Sequence, residues 1–171
     1  MELGSVRPRD LEWVVEVVDG WACTQRWDLR GQTPPPAFLE LLLWQQVLHQ
    51  RVVRFSGGPI GLLQLVDVDL RNQVAHLELL IDGDRFAEAE PLLVQFVARC
   101  FGEFPLRKLY IAAASDALDP TSVIGSGVRE IARLPCHQRR RATTYTDMVI
   151  HELNRVEVTE VAACRPVPVG L

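Results

Sequence analysis

Two ionisable side chains, His76 and Glu78, stand two residues apart in the otherwise apolar stretch Val74-Ala-His-Leu-Glu-Leu-Leu-Ile81. At the period of two that a strand imposes, they share one face with Val74 and Leu80. Ala75, Leu77, Leu79 and Ile81 make the other face, which is uniformly apolar and belongs to a core. A neutral imidazole titrates near physiological pH and is a competent base for an ammonium nucleophile; a neighbouring carboxylate would raise its pKa and orient it. The alternative role is that of a sheet residue hydrogen-bonded within a pocket wall. A second candidate follows directly. After Asp82 the chain reads Gly83-Asp-Arg-Phe-Ala-Glu-Ala-Glu-Pro91, then becomes amphipathic, with Leu93, Phe96, Val97, Cys100, Phe101 and Phe104 at three-and-four spacing. A strand feeding a helix start can seat an anion, because the first N–H groups and the helix dipole both favour negative charge.

Other residue types give little. Cys23, Cys100, Cys136 and Cys164 are scattered, with no C-x-x-C and no paired histidines, so neither a zinc site nor a disulfide framework is expected. Buried, reduced thiols are the reading. His49, His137 and His151 show no ligand spacing, and no metal is expected. Arg139-Arg-Arg141 is a short basic run that reads as a solvated hairpin loop. A net charge of −4 argues against a general nucleic-acid binder. No run approaches the roughly 20 apolar residues of a membrane span, and no basic start leads an apolar segment, so a cytoplasmic protein is expected. With 171 residues, 48% of them apolar and 23% charged, the chain has the material for one globular core.

The elements that must position these residues can be read in order. An extended segment at 3–7 stops at Pro8, and Asp10 caps a helix carrying Leu11, Val14, Val15 and Val18 that ends at Gly20. Residues 21–32 have no clear periodicity. Pro34-Pro-Pro36 leads into a second helix over 37–49. Strands at 51–55 and 60–68 flank a Ser56-Gly-Gly58 turn, and a turn at 69–72 leads to the strand at 73–82. Beyond the amphipathic helix, Pro105 stops the chain, and 107–114 is an apolar strand. A short helix at 121–126 and strands at 128–136 and 143–153 complete the pattern. The single helix crossing from 73–82 to 107–114 predicts one parallel pair in a mixed sheet. The expected fold is α+β, of the α/β three-layer kind, with one mixed, mostly antiparallel sheet of about seven strands flanked by helices. Residues 1–154 form the domain and 155–171 a tail.

That order resembles the GNAT superfamily of N-acetyltransferases, in particular its ribosomal-protein and antibiotic N-acetyltransferase branch. Val6-Arg-Pro-Arg-Asp10 is similar to that branch's opening strand and helix. Ile60-Gly61, the turn from Asp69, and Ala75-His-Leu-Glu-Leu79 are similar to its meander. Phe101-Gly-Glu-Phe-Pro-Leu-Arg-Lys-Leu109, Gly127-Val-Arg-Glu130 and Tyr145-Thr-Asp-Met-Val149 resemble its later motifs. The resemblance covers about 5–154.

The resemblance implies an N-acyltransferase that moves an acyl group from acetyl-CoA, or another acyl thioester, to a small-molecule or peptide amine. It places the base at His76 or Glu78. It places the donor against Leu80, Ile81, Arg85, Phe86, Ala87, Glu88 and Ala89, with Asp116 where the family has an Asn on the pantetheine arm. It puts Trp27 and Trp44 beside the acceptor, and dimers are common in the family. The chain departs from the pattern at several of these positions. The family's Q/R-x-x-G-x-G/A loop is here Asp84-Arg-Phe-Ala-Glu-Ala89: Ala87 replaces the first glycine, and Asp84 replaces a basic or amide residue. Glu88 and Glu90 add negative charge that satisfies the helix dipole but repels a diphosphate, and Arg85 is the local compensating cation. Val123 stands where the family's general-acid Tyr would be. A donor lacking the nucleotide, such as acyl carrier protein pantetheine, fits this loss. So do a binding or regulatory module on the same fold and a different thioester reaction, such as hydrolysis or decarboxylation, and the fold does not choose among them.

Overall fold

The two faces of the central strand dictate the layering. A computed structural model describes residues 2–17, 22–27, 35–55, 58–116, 119–124, 127–139 and 144–155. Along the chain run β1 (Glu2–Gly4), α1 (Asp10–Val17), β2 (Ala22–Cys23), α2 (Pro36–Trp44), β3 (Val47–Phe55), β4 (Gly58–Asp69) and β5 (Val74–Ile81). Then follow α3 (Phe86–Glu103), β6 (Lys108–Ala114), α4 (Pro120–Ile124), β7 (Val128–Arg139) and β8 (Tyr145–Asn154), with single 3-10 turns at Gln25–Trp27 and Gly83–Arg85. The odd residues of β5 (Ala75, Leu77, Leu79 and Ile81) are buried in one core with Ala89, Leu93, Phe96 and Val97 of α3. Leu80, on the opposite face, belongs to a second core with Val14 of α1, Trp27, Leu39 and Leu43 of α2, and Val52 and Leu62 of the sheet. Helices therefore cover both faces, which is the three-layer arrangement expected from the sequence.

The sheet runs β1-β3-β4-β5-β6-β8-β7, with β2 as an additional partner of β5. Every pairing is antiparallel except β5 with β6, which α3 connects in parallel. That parallel pairing is short. It joins Val74, Ala75 and His76 to Lys108, Leu109 and Tyr110. β6 then continues along β8 as far as Ala114, opposite Met148, while β5 continues along β4 to Ile81, opposite Gly61. Past His76 the two strands part, and a notch opens between them.

Two boundaries differ from the sequence reading. α2 ends at Trp44 rather than 49, because Gln45 is extended and Gln46 has a left-handed φ of 58°, which turns the chain into β3. His49 is thus a strand residue, its ring stacked on Phe96 at 5.4 Å. α3 starts at Phe86, well before Pro91. The Asp82 carboxylate accepts from the Asp84 N–H at 3.1 Å, the turn Gly83–Arg85 follows, and Pro91 lies inside the helix. There its missing N–H leaves the Ala87 carbonyl without an intrahelical donor, and the first-turn amides are untouched.

A carboxylate at the start of α1 ties that helix to the sheet. Asp10, 5% exposed, accepts from the Arg7 N–H at 2.8 Å and from the Arg54 guanidinium of β3 at 2.8 and 3.0 Å. Asp10→Ala strands both donors and is expected to cost about 2 kcal/mol, read as a lower urea midpoint at unchanged slope. No helix among the described residues is long and apolar enough to cross a membrane. The tail beyond 155, Trp21 and the Arg140-Arg141 part of the basic run lie outside the described residues.

Candidate functional site

The notch beside β5 is lined from the sheet upward. β5 carries His76 and Glu78 on one face, as the period of two requires, but the two side chains have different surroundings. His76 is exposed at the last parallel pair, opposite Tyr110, whose ring meets the imidazole edge-on at a centroid distance of 6.0 Å. Glu78 is buried. Its Oε2 accepts from the Thr24 hydroxyl and from the Arg26 N–H at 3.1 Å. Burial pushes the Glu78 carboxyl up to about 7, against the opposing pull of those two hydrogen bonds. The imidazole faces solvent, and the carboxyl faces residues 24–26.

Those residues belong to a segment that fills the notch. Ala22 and Cys23 pair antiparallel with Ile81 and Leu80. Thr24 extends the contact: its N–H donates to the Leu79 carbonyl at 2.9 Å, and its hydroxyl oxygen accepts from the Leu79 N–H at 2.9 Å. Arg26 reaches the other way, donating to the Leu42 carbonyl at 2.9 and 3.2 Å and to the Gln45 carbonyl at 2.7 Å. A cation on the last carbonyls of α2 complements the helix dipole. Trp27 then enters the second core, fully buried, its Nε1 donating to Gln64 Oε1 at 3.0 Å. Gln64 is itself buried and donates to Gln50 Oε1 at 2.9 Å and to the Leu42 and Leu43 carbonyls at 3.3 Å.

The sequence-derived contacts for a donor are brought together at one end of β5, though not as a free cradle. Leu80 and Ile81 have their outer edge covered by β2. Phe86 is half-buried against the main core, Ala87 is exposed and Ala89 is buried. Arg85, the local cation, is held by Glu88, with guanidinium-to-carboxylate distances of 2.7 and 2.8 Å, and lies over the Phe55 ring at 4.5 Å. Asp116 follows β6 in the exposed turn where the Ser115 N–H donates to the Asp147 carbonyl at 2.9 Å. The two tryptophans separate. Trp27 is a core residue, so the cleft-lining position read for it from the sequence is corrected. Trp44 is 44% exposed on α2, beside Phe38 and Leu41, which are also exposed.

Sequence reading missed Thr24, Arg26, Gln64 and Tyr110. The first two lie in a stretch with no periodic signal, Gln64 sits inside an apolar strand, and Tyr110 looks like an ordinary strand aromatic. The thiols also divide: Cys100 is buried, its pKa pushed up to about 12 by desolvation, whereas Cys136 is exposed. No cluster among the described residues could hold a metal ion.

A seven-strand path with one parallel pair, a helix joining that pair and a notch where it parts define the class: this is the GNAT fold. The solved structures that share it include spermidine N-acetyltransferases of Vibrio cholerae. A point mutant of that enzyme superposes with a TM-score of 0.72 at 16% identity, covering 95% of this chain and 99% of that one. The enzyme in complex with CoA and spermine gives 0.70 at 16% identity, covering 92% and 97%. At such identities the likeness is one of fold. No protein-family model and no curated protein matches the sequence.

Proposed function

We propose that this chain transfers an acyl group from a thioester to an amine, with His76 as the base. The observation that carries this reading is the exposed imidazole standing where β5 and β6 part, with the Tyr110 phenol beside it. The acceptor ammonium loses a proton to His76, and its nitrogen attacks the thioester carbonyl. The C–N bond forms as the C–S bond breaks, and the Tyr110 phenol protonates the leaving thiolate and regains a proton from the imidazolium. The new amide nitrogen gives its remaining extra proton to the regenerated imidazole and from there to solvent. An amide and a free thiol result. The acceptor class is a small-molecule amine, for which spermine and spermidine are the first probes because the neighbouring enzyme acts on such polyamines. The donor is acetyl-CoA, or pantetheine carried by an acyl carrier protein. A diphosphate would have to compete with Glu88 for Arg85, whereas pantetheine carries no such charge.

Thermal-shift titration tests the donor. A ligand that binds only the native state raises the melting temperature. A rise with acetyl-CoA and CoA supports the nucleotide donor, and a rise with pantetheine alone supports the carrier-protein donor. With either, His76→Ala is expected to lower turnover about a hundredfold while the protein stays folded. The second reading is a binding module without transferase activity. It is favoured by the covered β5 edge and the neutralised Arg85. Absence of stabilisation by all three ligands, with no turnover of either polyamine, would establish it over the enzyme.

A further inference from the structure

β5 has partners on both edges along most of its length, and the partner in the notch lies off the main strand path of the sheet. β4 covers one edge throughout. On the other edge β6 covers residues 74–76, and from Leu79 onward the partner is the chain's own segment at 22–24. Both backbone groups of Leu79 are taken by Thr24. A strand edge accepts one extended partner about 4.8 Å away, so anything else that hydrogen-bonds there must first displace this segment.

The cover is suited to exchange. β2 is a pairing of two residues, far shorter than a strand that holds by itself. Beyond that pairing Thr24 exchanges two bonds with Leu79, and the Thr24 hydroxyl and the Arg26 backbone N–H converge on the Glu78 carboxyl. Thr24 thus takes part in three of these four bonds, two of them through its hydroxyl. Arg26 keeps the far end of the segment fastened to the α2 carbonyls, so the segment can swing without leaving the molecule.

We propose that residues 22–27 are an internal strap that closes the donor seat, and that an acyl thioester reaches the edge at 79–81 only when residues 22–24 peel away. The occupant is the amide-bearing pantetheine arm, whose extended N–H and C=O groups replace those of the strap. Thr24 is the latch: a positioning residue that touches β5 and does not take part in the chemistry. The proposal rests on the acyl-transfer reading above.

Calorimetric titration with pantetheine and with CoA tests it on two variants. Residue 80 is the backbone register partner of residue 23, so in Leu80→Cys a disulfide to the native Cys23, formed with glutathione disulfide, would lock the strap and its reduction would free it. Thr24→Val removes the latch hydroxyl without this core substitution and serves if the first variant does not fold. The expected results are binding to reduced Leu80→Cys at least tenfold tighter than to the oxidised form, and about tenfold tighter binding to Thr24→Val than to the unmodified chain. Equal affinity of the oxidised and reduced forms, with the disulfide verified by mass, or unchanged affinity of Thr24→Val, overturns the strap and leaves acyl transfer standing. No binding to any form, with hydrogen exchange showing the Leu79 amide open in Thr24→Val, overturns the donor reading and the strap with it.

Discussion

Trp27→Ala is expected to cost about 4 kcal/mol of folding free energy, seen as a fall in the urea midpoint. The indole is fully buried and packs with Val14, Leu39, Leu43, Val52, Leu62 and Leu80, so it is the piece through which the α1–α2 layer and the strap both grip the sheet. Truncation removes its apolar area, leaves a cavity and takes the donor from Gln64 Oε1. Trp27→Phe separates these effects. It keeps most of the packing and is expected to cost about 2 kcal/mol, mainly for the unpaired amide oxygen. A loss under about 1 kcal/mol for Trp27→Ala would mean that the layer is held by the Asp10–Arg54 tie and α2 alone, and that Trp27 faces a cleft after all.

Legibility in the sequence followed periodicity. β5 announces its two faces because Ala75, Leu77, Leu79 and Ile81 alternate with more polar residues, and α3 announces itself through Leu93, Phe96, Val97 and Cys100. The parallel pair followed from connectivity, since one helix between two strands leaves few alternatives. What could not be read were interactions that depend on distant segments meeting. Glu78 is an acid on a strand in any sequence reading; only the arrival of Thr24, more than fifty positions earlier, makes it a buried hydrogen-bond acceptor. The start of α3 was misplaced because Pro91 looks like a helix entry, while the Asp82 carboxylate and a 3-10 turn begin the helix earlier. The end of α2 was misplaced because nothing local marks Gln46 for a left-handed φ. The shared face of His76 and Glu78 was legible; their separation into a wet and a dry environment was not.

The dry environment of Glu78 has a consequence in pH. In the unfolded chain this carboxyl titrates near 4.5, and in the fold burial raises it to about 7. Below 4.5 both states are protonated and Glu78 contributes nothing to the slope. Between 4.5 and 7 the unfolded chain has released a proton that the fold still holds, so stability falls as pH rises; above 7 the curve flattens again. The full drop is about 3 kcal/mol. His49 and His151, whose pKa values burial lowers, act oppositely, losing stability as pH falls below 6.5, and so mask part of this slope. Asp69, Glu130 and Glu152, held low by hydrogen bonds from Asn72, Arg133 and Lys108 respectively, act only toward the acid end. Comparison with Glu78→Gln cancels these shared terms, because the amide keeps the shape of the carboxyl and does not titrate. The stability of the unmodified chain relative to Glu78→Gln is therefore expected to fall by about 3 kcal/mol from pH 4.5 to pH 8, measured by urea unfolding at each pH. A constant difference across that range would show that Glu78 ionises as freely in the fold as in the open chain. The Thr24 and Arg26 contacts would then hold a carboxylate that water already reaches, and the notch would be open without any strap to move.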